Sequence, residues 1–177
     1  PDLLALLRAA VAKRLPAVDT AKIFAGATHT HTAPVCRLKK YRIPKEGVMQ
    51  VAAYRSFFAE RVAAAVEDAW TGRTKGSFSW GLGHAVVAYN RRASYADGSA
   101  RMYGRTNVPH FRSLEGYEDH DVGTLFFWNG EDRPIAAAVN VACPSQEVEG
   151  RTAVNADFWH PVREGLRERY GEQLCVL

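Results

Sequence analysis

Cysteine is scarce in this 177-residue chain, and the three present, Cys36, Cys143 and Cys175, lie far apart without a CxxC pair. That pattern suggests neither a zinc ribbon nor a dense disulfide framework, and it leaves the redox compartment open. Long apolar runs are missing too. No stretch approaches the roughly 18 residues of a spanning helix, and no signal-peptide pattern is present. There is also no basic block: the formal charge of +4 comes from 23 Lys and Arg scattered among 19 acids, which argues against a nucleic-acid partner. Internal repeats and low-complexity segments are likewise lacking. What remains is a chain 47% apolar and 24% charged, able to bury a core of ordinary size, and its length predicts one domain. It begins at Pro1 and ends in an apolar LCVL that reads as a strand just begun, so the expectation is a piece cut from a longer chain.

Three segments carry helical periodicity. Residues 2–15 place Leu3, Leu7, Ala10 and Val11 on one face, with Asp2 at the N-cap position and Pro16 beyond the end. Residues 51–70 carry Val51, Tyr54, Phe58, Val62, Ala65, Val66 and Ala69 at the same spacing. ADFWHPVREGLRERYG sets Phe158, Val162, Leu166 and Tyr170 four apart, with Asp157 in front and Gly171 as the stop. KIFAGATHT alternates and is short, which predicts a strand, followed by a loop broken at Pro34, Pro44 and Gly47. SFSWGLGHAVVAYN predicts one or two strands leading into Asn90-Arg91-Arg92, and residues 91–120 read as a long surface excursion with a turn at Asp97-Gly98. DVGTLFFW and PIAAAVNVA flank Asn129-Gly130, a dipeptide that accepts the positive φ of a tight hairpin. The sum is an α/β domain with a mixed sheet.

Chemistry concentrates where these segments end. If ATHTHT closes a strand, His29 and His31 face the same side, because side chains repeat every two residues. Two neutral imidazoles on one edge supply half of a tetrahedral zinc set; the plainer reading is two polar residues facing water. Tyr89-Asn90-Arg91-Arg92 follows an apolar run, and a guanidinium there can hold a carboxylate or steady an oxyanion, or simply be solvated ahead of a turn. NVACPSQEVEG stops at Cys143-Pro144-Ser145, where Cys143 is either a thiolate ligand or a buried inert thiol. Asp157 can cap the last helix while orienting a neighbour, and GYEDHD reads as a polar loop.

Taken in order, HTHTAP, YNRR with DG close behind, GYEDHDVGTLFFW and NVACPSQEVEGRTAVNADFWHPVREGLRERYGEQLCVL resemble the neutral/alkaline non-lysosomal ceramidase family in its bacterial branch, from about residue 20 onward. The family's members are zinc-dependent amidases that split the N-acyl bond of ceramide. The resemblance therefore implies an α/β fold, a mixed sheet with flanking helices, forming part of a larger catalytic domain. It places a zinc ligand at His29, an active-site neighbour at His31, and the family's Asn-Arg pair at Asn90 and Arg91, the arginine facing the scissile bond. The family's second zinc histidine falls on the turn at Cys143-Pro144-Ser145, a departure from the pattern: either Cys143 replaces the histidine, or this branch has lost part of the site. Asp157, in Asn155-Ala156-Asp157, is implied as support behind the site. The family's serine and its glutamate and tyrosine ligands come later than LCVL, so this stretch holds at most half a metal site.

The implied partner is a small-molecule or lipid amide, with no nucleic acid, and oligomeric state is left open. A ceramide-like substrate requires access to a lipid surface, although no basic amphipathic anchor is present. The family is secreted, periplasmic or displayed at the cell surface. Two rivals stand beside this reading: a barrel-type metal hydrolase whose first strand ends in HxH, disfavoured by the hairpin and by few later histidines, and a non-catalytic lipid- or glycan-binding descendant of the fold.

Overall fold

The structure is a computed structural model and describes residues 2–177. It contains helix α1 (Leu3–Arg14), a 3-10 turn (Thr20–Lys22), α2 (Val51–Thr71), strands β1 (Ser77–His84), β2 (Arg92–Tyr95), β3 (Ala100–Met102), β4 (Phe111–Leu114), β5 (Asp121–Trp128) and β6 (Pro134–Val141), helix α3 (Trp159–Tyr170) and strand β7 (Cys175–Val176). The described residues form two compact units. One takes the chain up to Lys75 together with Ser145–Val162, and the other takes Gly76–Pro144 with Arg163–Leu177.

The first unit is organised by α1 and α2. The apolar spacing of residues 2–15 turns Leu7, Ala10 and Val11 inward, where they meet Ala59 and Ala63 of α2. Two alanines one turn apart leave room for close approach of the helices, and Leu6, Leu15, Val18, Ile23, Val62 and Val66 close the rim. Arg14 donates to Glu67 at 2.6 Å, which raises the pKa of the guanidinium, and its Nη2 lies 3.4 Å from Glu60. Asp2 occupies the N-cap position of α1 with extended backbone, but its carboxylate makes no cap bond.

KIFAGATHT does not form the expected strand. A strand needs a neighbour for its ladder, and among the described residues the one backbone–backbone bond from the segment to a distant stretch is that from Ser145 N–H to Thr28 O at 3.1 Å, while φ of +68° at His29 breaks the pleat.

In the second unit a four-stranded sheet runs β1-β5-β6-β7. β1, β5 and β6 are antiparallel neighbours, with Trp80 opposite Leu125 and Leu125 opposite Ala138. β7 joins β6 in parallel, so the sheet is mixed and the α/β class holds. One face is covered by α3: Leu166 packs on Ala137, Leu174 and Val176, and the Tyr170 ring stands edge-on to Phe126 at 5.5 Å. The hairpin between β5 and β6 is present, but its turn is longer than the Asn-Gly pair predicts. Asn129 Oδ1 accepts from Glu131 N–H and Arg133 N–H, and the positive φ falls on Asp132.

Two expectations fail between β1 and β5. Residues 91–120 are not a loose excursion but a three-stranded sheet of order β3-β2-β4, closed around Ala93 and Tyr95, with the Asp97-Gly98 turn as read. The apolar run after His84 does not continue as strand: only Ala85 bonds onward, to His120 O, and Val86, Val87 and Tyr89 are more than half exposed. Asn90 and Arg91 therefore precede β2 instead of ending β1.

Candidate functional site

In the first unit, the histidine segment is clamped by its threonines. Thr30 and Thr32 hydroxyls both donate to Asn155 O, at 3.2 and 2.9 Å, and Asn155 N–H donates to Thr32 O at 3.1 Å. Thr32 is buried, Thr30 half-buried, and His29 and His31 are exposed. The alternation of the sequence thus survives without a strand: threonines inward, imidazoles outward. The two rings lie 5.2 Å apart, centroid to centroid, with a 32° tilt.

His31 has partners at both nitrogens. Nδ1 stands 3.1 Å from Glu149 Oε2, and Nε2 stands 3.3 Å from Gln146 Nε2, which also donates to Glu149 at 2.9 Å. The neutral tautomer with its proton on Nδ1 satisfies every contact: Glu149 accepts, and Nε2 accepts from the Gln146 amide. The ring is thereby held in a fixed direction, with a carboxylate behind it.

Asp157 lies beneath this segment, 6% exposed and at φ +59°. Rather than capping α3, its carboxylate accepts from Phe158 N–H at 2.7 Å and from Val148 N–H at 3.0 Å, while its own N–H donates to Asn155 Oδ1 at 2.7 Å. It ties the loop bearing Gln146 and Glu149 to the turn whose Asn155 carbonyl grips the threonines. Ser145 is fully buried, and its hydroxyl has no hydrogen-bond partner among the described residues.

Asn90, Arg91 and Cys143 belong to the second unit. Asn90 N–H donates to Glu118 Oε1 at 3.0 Å, and Asn90 Oδ1 accepts from Arg92 N–H at 3.1 Å, an Asx turn that sets the backbone ahead of β2. The Arg91 guanidinium sits 4.9 Å from the centroid of the Tyr103 ring, within cation–π range. The Cys143 thiol lies 3.6 Å from Val87 O and 3.7 Å from Pro144 O, contacts in which sulfur is the donor.

The N–H of Asn90 holds the Glu118 carboxyl below its ordinary pKa, with a smaller contribution from His120. A depressed carboxylate adds stability at pH above its unfolded value, and this is lost as pH falls through the lower folded value. Glu118→Gln is accordingly expected to lower stability modestly at pH 7, where the carboxylate's contribution is present, and to converge with the parent as pH falls below about 4.3, so that its acid profile is flatter. Urea midpoints measured from pH 7 to pH 3 check this; parallel acid profiles for the two proteins would remove Glu118 from the acid response.

Among the described residues no three His, Cys, Asp or Glu side chains come together as a metal site. The histidine pair offers at most one candidate ligand. With both His31 nitrogens engaged, His29 is the ring suited to ligation. Gln146 and Glu149 escaped the sequence reading because 115 residues separate Gln146 from His31, and their i, i+3 spacing is the sole local hint. No family model, curated protein or solved structure matches the chain.

Proposed function

We propose that the chain is part of a zinc-dependent amide hydrolase of the neutral ceramidase type, acting on N-acylsphingosine or a related N-acyl lipid. The observation that carries this reading is the clamped HTH segment: an exposed imidazole, His29, beside a second, His31, that is buttressed at both nitrogens. In this role His29 is a zinc ligand, and the remaining ligands come from the longer parent chain that the resemblance implies. Bound zinc supplies Lewis acidity and lowers the pKa of water to about 7. His31, its ring oriented by Glu149, carries a proton at Nε2 to the leaving amine when substrate takes the place of the Gln146 amide there. The resemblance assigns Arg91, with Asn90, to the acyl oxygen as it gains negative charge. Asp157 keeps the loop beneath His31 in place.

The test is metal content of the parent, purified without added metal, beside its His29→Ala and Cys143→Ala variants. About one zinc per chain is expected, lost with His29→Ala together with about a hundredfold or more of amidase activity. Retention in Cys143→Ala is expected from the thiol's donor contacts and would leave Cys143 structural; loss there would make it a ligand. No zinc in the parent, or activity within about threefold in His29→Ala, would sink the enzyme reading and favour the lipid- or glycan-binding descendant.

A further inference from the structure

β1 is the outer strand of its sheet, and nothing in its sequence protects that edge. Edge strands are ordinarily blunted by charge, proline or a bulge. SFSWGLGH has no Lys, Arg, Asp, Glu or Pro, and it pairs with β5 in unbroken register over all eight residues. Its side chains divide sharply. Ser77, Ser79, Gly81 and Gly83 lie on the side of the sheet that carries Phe126, where Ser79 accepts the Trp128 indole N–H at 2.8 Å. Phe78, Trp80 and Leu82 stand on the opposite face, 70, 79 and 67% exposed. Beside them, Leu125 and Ala138 continue an apolar groove of about 380 Å³.

The backbone points the same way. Ala85 N–H bonds to His120 O, one step beyond the pair of His84 with Asp121. In an antiparallel ladder the bonds alternate, so the odd-numbered residues bond to β5 and the N–H and C=O of Phe78, Trp80 and Leu82 face outward. An open ladder calls for another strand, which excludes an acyl chain or a helix as the matching occupant. The side chains call for a strand of the same pattern. A two-fold axis at Trp80 sets it against its own copy, Phe78 against Leu82 and Ser79 against Gly81, with every apolar group on one side.

We propose that β1 is the contact edge of a symmetric dimer, pairing antiparallel with β1 of a second copy about Trp80. This inference is independent of the hydrolase reading, because it uses neither the histidines nor a metal. Aromatic side chains bury about 150–250 Å² each, so the exposed parts of Phe78 and Trp80 give roughly 600 Å² over two copies before Leu82 and the backbone are added. That is about half of the roughly 1,200 Å² at the lower end of specific interfaces, the rest falling to Leu82 and the paired backbones, and it predicts a dimer that dissociates on dilution.

Sedimentation equilibrium of the 177-residue chain over about 1–100 µM tests it. The expected result is a rise from the 19.6 kDa chain mass to twice that value. Trp80→Lys and, separately, Leu82→Lys should shift the dissociation constant upward at least tenfold, with far-UV circular dichroism unchanged. Leu82→Lys serves alone if Trp80→Lys does not fold. A single-chain mass at every concentration, growth beyond two copies, or a dimer equally tight in the folded variants would each overturn the proposal.

Discussion

Asp157→Ala is expected to destabilise the first unit by about 2–5 kcal/mol, the sum of two effects. The carboxylate is 6% exposed and accepts from the N–H groups of Val148 and Phe158. Removing it leaves two part-buried donors without their acceptor, at about 1–3 kcal/mol in all. The residue also sits at φ +59°, a conformation that costs alanine about 1–2 kcal/mol. Asp157→Asn separates the two contributions, because asparagine tolerates that backbone and keeps one acceptor; about half the loss is expected. In a protein of this length each kcal/mol moves the melting midpoint by about 2–4 °C, so a drop of roughly 4–20 °C should be read by calorimetry. An alanine variant within about 0.5 kcal/mol of the parent would mean that the loop from Ser145 to Asp157 is held by something else.

Gly104→Ala should cost a similar amount for a different reason. A Cβ at this position would run into the Tyr95 hydroxyl, lie 2.9 Å from Ala93 Cβ and lie 3.1 Å from Arg101 O. Tyr95 cannot swing clear without giving up its hydrogen bond to Arg105 O, and Ala93 is fully buried. Overpacking of this kind typically costs about 1–3 kcal/mol, with the lost hydrogen bond on top. Gly98→Ala is the control: Gly98 has φ +80° but no atom within 4 Å of an added Cβ, so only the conformational cost of about 1 kcal/mol is expected. Amide exchange in β2, β3 and β4 reports the difference locally, and equal exchange in the two variants would show that the crowding around Gly104 relaxes freely.

The parts of this fold legible in the sequence are those where local pattern and tertiary partner agree. α1 and α2 each show a full apolar stripe, and each stripe meets the other. β5 and β6 are long, apolar and adjacent, so their pairing needs no distant segment. The short strands RASY, ARM and FRSL carry too few residues to show a period, and their sheet is held by Ala93, Tyr95 and the space left by Gly104. The histidine segment misled in the opposite direction. Its alternation is real, but it reflects threonines reaching one carbonyl, and no sequence window contains both. For the same reason His31 could be singled out while Glu149 and Gln146 could not.

The clamp on the histidines has a further consequence in time. Thr30 and the carbonyl it grips, that of Asn155, are 125 residues apart. A ribosome adds about 5–20 residues per second, so roughly 6 to 25 s separate synthesis of the imidazoles from synthesis of the turn that fixes them. Through that interval the helices α1 and α2 can already meet, whereas the two rings hang on an unanchored segment. The nascent chain therefore passes through a stage with its helical core formed and its histidines still unpositioned.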